Sequence, residues 1–332
     1  MRIVKKCVLT MLALLALLGC DHDIPNVPAD KHDNAIAFDY VSTRADLSSL
    51  EQDGFSVWAF IDNNVTQNYP LMDNQHVEYQ DGEWVYSPAK YWLEETNFSF
   101  VGAYPYDADN SYFSATDDGS VELTISETPS DVDFLMATYT VDTNVEYNTI
   151  VPLQFQHLLT SVGLKIWRDE AKHTNDHMRV TKVTLSNIRK SGAYSSATSE
   201  WTYGTDKLTA VYTNNSLSDT DNIGAALVKD DGSLQTGGIA ADPFGQMMLL
   251  PQTFDSSNSI ALRIEYELKR LNAADWEEAE LEAVLPNITL NAGQRYTFNV
   301  VLSSVTDITF YYIQTKVDPW GTPQVGGTVI IK

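Results

Sequence analysis

Hydrophobic alternation with a period of two runs through most of this chain and restricts its fold more than any other feature. Ile36, Phe38 and Tyr40 alternate with Ala37, Asp39 and Val41. Phe55, Val57, Ala59 and Ile61 alternate with Ser56, Trp58 and Phe60, and Val121, Leu123 and Ile125 with Glu122, Thr124 and Ser126. Leu262, Ile264, Tyr266 and Leu268 repeat the pattern, as do Tyr296, Phe298, Val300 and Leu302. Side chains of a strand point alternately to its two faces, so this spacing predicts strands rather than helices. Asp117-Asp118-Gly119, Asp230-Asp231-Gly232 and Gly237-Gly238 punctuate the runs as turns. Many short strands between turn signals predict an all-β chain built as sandwiches or barrels. Residues 272–278 have room for one helical turn, after which 278–285 alternates again as a strand.

The first twenty residues follow a different rule. Arg2, Lys5 and Lys6 precede an apolar run from Val8 to Leu18, which stops at Gly19-Cys20. The run is shorter than the roughly 20 apolar residues of a membrane-spanning helix. Basic residues, a short apolar segment and a small residue at its exit read as a secretory signal peptide, residues 1–19. Leu17-Leu18-Gly19-Cys20 resembles a lipobox, which implies cleavage between Gly19 and Cys20 and acylation of Cys20. The only other cysteine, Cys7, lies inside the leader. A single thiol sent to an oxidising compartment wants an explanation, and acylation supplies one. The mature fold then has no disulfide and rests on its apolar core.

Cleavage before Cys20 leaves residues 20–332, a length for roughly two domains at about 150 residues each. Residues 20–34 are polar and contain prolines, and read as a tether. A polar stretch at 143–146 marks a boundary between segments 35–146 and 147–332. The hydrophobic share of 43% is enough for ordinary cores. Loss of Arg2, Lys5 and Lys6 takes the formal charge from −24 to −27, which repels phosphate backbones and excludes nucleic acid as a partner.

Chemistry-bearing constellations are sparse. His157 sits among apolar residues and reads as a buried histidine with a satisfied hydrogen bond, no acidic partner being close in sequence. His173 and His177 are four apart, but in a stretch that reads as a loop, without further ligands at metal spacing. Asp219-Thr220-Asp221-Asn222-Ile223-Gly224 echoes a calcium loop, with Ile223 at a ligand position. The seven tryptophans fall mostly in strand patterns and read as core or interface residues. No nucleophile elbow, zinc-helix motif or phosphate loop is present, so no catalytic residue, metal or cofactor is expected.

A series of landmarks, in order along the chain, resembles the fimbrillin family. These are Gly54-Phe55-Ser56-Val57-Trp58-Ala59, Trp84 to Trp92, Phe98 to Tyr106 and Asp133-Phe134-Leu135-Met136-Ala137. They continue with Phe155 to Leu164, Leu249-Leu250-Pro251-Gln252, Leu290 to Tyr296 and Val317-Asp318-Pro319-Trp320. Leu93 departs from the family, which often has Pro there. The resemblance implies two tandem transthyretin-like β-sandwich domains and assembly of a type V pilus by donor-strand exchange. Other fimbrial subunits are then the partners, and the lipid on Cys20 ties the precursor to the outer membrane. It further implies processing between Arg44 and Ala45, with Ile36, Phe38 and Tyr40 on the displaced strand. Val329, Ile330 and Ile331 fit a donor strand and equally the last strand of their own domain. A surface lipoprotein that binds glycans or a host surface without polymerising shares the leader and the strands.

Overall fold

The structure, a computed structural model, describes residues 34–40, 48–62, 69–128, 132–142, 149–213, 222–230, 233–285, 287–303, 310–319 and 328–329. Nearly every element in them is a strand, as the alternation predicts. The first part of the chain runs through β1 (Ala37–Tyr40), the short helix α1 (Ser48–Asp53), β2 (Phe55–Asp62), β3 (Tyr69–Gln80) and β4 (Glu83–Val85). It continues with β5 (Asn97–Tyr104), β6 (Phe113–Ala115), β7 (Val121–Ile125), β8 (Leu135–Val141), β9 (Ile150–Leu153) and β10 (Gln156–His157). Six of these form one sheet in the order β10-β8-β5-β2-β3-β4.

That sheet is buried on both faces, which explains why β2 is apolar at nearly every position. Phe55, Val57 and Ala59 enter a cluster that includes Ile36, Phe38, Trp92, Phe100, Val151 and Leu153. Trp58 and Phe60 enter another, with Phe113, Val121, Leu123, Phe134 and Leu250. A strand covered on one side only would alternate apolar with polar; one covered on both loses the polar half of the pattern. The first cluster is roofed by a parallel pair, β1 with β9.

The later strands are β11 (Thr160–Asp169), β12 (His177–Arg189), β13 (Gly192–Ser195), β14 (Glu200–Tyr203) and β15 (Lys207–Thr213). Then come β16 (Ala225–Val228), β17 (Leu234–Gly237), β18 (Met247–Leu249), β19 (Gln252–Phe254) and β20 (Ala261–Lys269). Last are β21 (Glu277–Val284), β22 (Ile288–Leu290), β23 (Gln294–Leu302), β24 (Phe310–Pro319) and β25 (Thr328–Val329). One sheet runs β17-β16-β11-β23-β24-β25 with β18 beside β11, and another β15-β12-β20-β21. The inward residues Val162, Leu164 and Ile166 of β11 and Leu262, Ile264, Tyr266 and Leu268 of β20 share the largest apolar cluster. Burial holds the Tyr266 phenol up, at about 12.

Residues 272–278 make no helix. The chain turns at Leu271–Asn272, where Asn272 has φ of 68°, and β21 starts at Glu277. The expected boundary at 143–146 lies outside the described residues. Strands from the two segments pair with one another: β9 with β1, β10 with β8, and β13 with β7. The hairpin β13–β14 thereby completes a four-stranded sheet, β14-β13-β7-β6, drawn from both segments. Asn34–Lys332 is one compact unit.

Candidate functional site: the seat of the N-terminal strand

Residues 34–40 lie between two other pieces of chain. On one side β1 runs parallel to β9, Ala37 opposite Ile150 and Tyr40 opposite Leu153. On the other side the Ile36 amide donates to the Lys90 carbonyl at 2.9 Å, and the Trp92 amide donates to the Asn34 carbonyl at 3.1 Å. The Asn34 side-chain amide returns a bond to the Trp92 carbonyl at 3.0 Å. The Tyr86 hydroxyl donates to the Ile36 carbonyl at 2.8 Å. Burial raises the Tyr86 phenol above its ordinary value, against a lowering contribution from its bond with Lys90.

Alternation decides which side chains go inward. Ile36 and Phe38 are 2% and 6% exposed, while Ala35, Ala37 and Asp39 are half-buried. The Phe38 ring meets Tyr86 edge-on at 5.6 Å and Phe100 at 6.0 Å. Trp92 packs edge-on against Phe98 and Phe100, at 4.9 and 5.6 Å. Such edge-to-face contacts suit the quadrupoles of the rings, and burying one phenylalanine contributes about 1.5–3 kcal/mol. Gly102 on β5 makes room for the floor: a Cβ there would stand 2.9 Å from both Leu153 and Phe155. Among the described residues, β9 has β1 as its sole ladder partner. Removing β1 would therefore open a sheet edge and an apolar groove together.

The other candidate residues are dispersed. Gly19, Cys20, Arg44, Ala45, Ile330 and Ile331 lie outside the described residues. Val329 sits in β25, whose backbone pairs with β24, Val329 opposite Ile313. His157 does have an acidic neighbour, brought from Asp133 far along the chain, with Nδ1 to Oδ2 at 2.7 Å. His173 Nδ1 lies 2.9 Å from the Asp176 carboxylate. His177 opens β12. Asp219, Thr220 and Asp221 lie outside the described residues, and the Asn222 side chain accepts a bond from the Met178 amide. Trp58 is core, and Trp276 lies under the Arg179 guanidinium at 4.4 Å. Among the described residues no three His, Cys, Asp or Glu side chains are placed to hold a metal, and no helix is long and apolar enough to cross a membrane.

Sequence reasoning missed β9 and the Tyr86 latch. Ile150-Val151-Pro152-Leu153 carried a usable signal, since proline in a short apolar run marks an edge strand, and an edge strand needs a cover.

These features define a class: an all-β chain whose own N-terminal strand fills a groove in its sheets. Residues 43–320 match the family described as Fimbrillin-like, and the chain belongs to that family. A fimbrial protein from Bacteroides vulgatus is similar to it with a TM-score of 0.65 and 16% identity, over 86% of this chain and 99% of that one. A candidate cell adhesion protein from Bacteroides ovatus is 17% identical over 89% of this chain and 100% of its own, with a TM-score of 0.48. Its counterpart from Bacteroides uniformis is 18% identical over 86% and 99%, also with a TM-score of 0.48. At 16% identity the likeness to the Bacteroides vulgatus protein is one of fold. No curated protein matches the chain.

Proposed function

We propose that this chain is a structural or adhesive, non-catalytic subunit of a cell-surface fimbria. It is exported as an outer-membrane lipoprotein through Cys20 and joins other fimbrial subunits by strand exchange. The observation that carries this reading is the seat of β1, a strand held between β9 and residues 90–92 with two buried side chains. A strand held in that way is replaceable by another of similar shape, because the ladder bonds are made by backbone. While residues 41–47 tether it, the resident strand outcompetes any other. Cleavage after Arg44 would leave it bound by noncovalent contacts alone, open to displacement by mass action.

Arg168, Arg179, Arg263 and Arg295 lie within β11, β12, β20 and β23, where a protease needs local unfolding to reach the backbone. Arg44 follows β1 and precedes α1 in the sequence, outside the described residues, and this reading takes it as the accessible site. The test is N-terminal sequencing of the subunit taken from fibres on cells. A terminus at Ala45 is expected, and Arg44→Ala should fold but fail to assemble. Fibres built throughout of subunits that begin at Cys20 would rule out processing here. A single band on a native gel after cleavage would favour the surface binder that never polymerises.

A further inference from the structure

We propose that the groove selects its occupant by a ring placed two residues after a branched aliphatic side chain, so that it takes a strand from a different subunit in preference to residues 326–332 of another copy. This rests on the strand-exchange reading and adds to it the chemistry of the partner. The two sides of the seat recognise different things. Backbone bonds from Lys90, Trp92 and β9 to residues 34–40 would serve almost any extended segment. They set direction, parallel to β9, and not identity.

Identity comes from the rings. Tyr86 does two jobs at once. Its hydroxyl holds the carbonyl of residue 36, and its ring packs against the side chain of residue 38. The latch therefore fixes the register and puts the second inward side chain against Tyr86 and Phe100, with Trp92 behind Phe100. A segment latched in that register without a ring two residues on leaves those walls facing a void. Voids of that kind lose both transfer energy and dispersion contacts.

This chain's own late segment, Gly326-Gly327-Thr328-Val329-Ile330-Ile331-Lys332, has no aromatic residue in either alternation. Val329 with Ile331, or Thr328 with Ile330, would put at most an isoleucine where Phe38 sits. Thr328 and Val329 would also have to leave their ladder with Gln314 and Ile313. Both considerations point away from self-donation and toward a partner segment of the form aliphatic, any residue, aromatic.

The test places a site-specific protease sequence at 42–47 in the otherwise intact chain and cuts the folded protein. Fluorescent peptides are then added and their polarisation followed. One carries the resident sequence 34–41, a second the same with Phe38→Ala, and a third residues 326–332. The resident peptide is expected to bind, the alanine peptide about 100-fold more weakly, and the 326–332 peptide at least about tenfold more weakly. Equal binding of either weak peptide would overturn the selection while leaving strand exchange intact. If no peptide enters and the cut strand stays in place by mass spectrometry, strand exchange itself fails, and the selection with it. A Tyr86→Phe version of the cut protein separates the two roles: overall affinity should fall, while the preference for the Phe38 peptide over its alanine form is retained. Loss of that preference in Tyr86→Phe would show that the ring walls do not discriminate.

Discussion

Gly54 closes α1 and opens β2 in one residue. Its amide donates to the Leu50 carbonyl at 2.9 Å, and its φ of +73° is in the left-handed region that a Cβ disfavours. A Cβ there would also stand 2.6 Å from the Val77 carbonyl oxygen and from His76 Nε2. Gly54→Ala should therefore cost about 1–2 kcal/mol from backbone strain alone, and more from the clash. A lower midpoint in urea with an unchanged slope checks it. Asp176 offers a test with a sign. Burial raises its carboxyl, but the hydrogen bonds from His173 and the Leu271 amide outweigh this and leave it lowered. A lowered carboxylate stabilises fully above its unfolded value and loses that contribution as pH falls through its folded one. Asp176→Asn should thus lower Tm at pH 7. The gap to the parent should close as pH is taken below about 3.9. A gap that persists undiminished in acid would mean the charge is not what Asp176 contributes.

Strands with one wet face are legible in the amino-acid sequence. β20 buries Leu262, Ile264, Tyr266 and Leu268 and leaves the residues between them toward water, as its spacing requires. The helix α1 is not legible there, because six residues hold too few turns for a helical period to emerge. Neither is any pairing between distant strands. A period of two tells which face a residue takes but not which strand lies alongside, so the partnership of β13 with β7 has no signature in sequence. That partnership makes the hairpin β13–β14 testable as an element. Tyr194, Trp201 and Tyr203 pack on the cluster that holds Phe113 and Leu123 from the first segment. The ends of the hairpin are already adjacent, since the Gly204 amide donates to the Ser191 carbonyl at 3.0 Å. Excising 192–203 and joining its flanks should therefore leave the sheets of the later strands able to form while uncovering β7. The parent is expected to melt in one transition and the excised form in two. A single unshifted transition in the excised form would show that the hairpin couples nothing.

At the scale of the whole molecule, the seat of β1 is only half legible in the sequence. Alternation identifies Ile36 and Phe38 as inward residues, while the residues that receive them, Tyr86, Trp92, Phe100 and β9, come from three separate stretches of chain. The same dispersal governs the order of events when the protein is made. Ala37 lies opposite Ile150, so the ladder that holds β1 joins residues separated by most of the first segment. Closing so long a loop brings no reward until both ends are present. Emerging from the ribosome N-terminus first, the chain carries β1 ahead of the residues it packs against. The strand must wait, without its ladder partner, until residues 150–153 have followed it. The first of the described strands to be made is thus one that cannot settle early, and its place beside β9 stays vacant through much of the chain's synthesis.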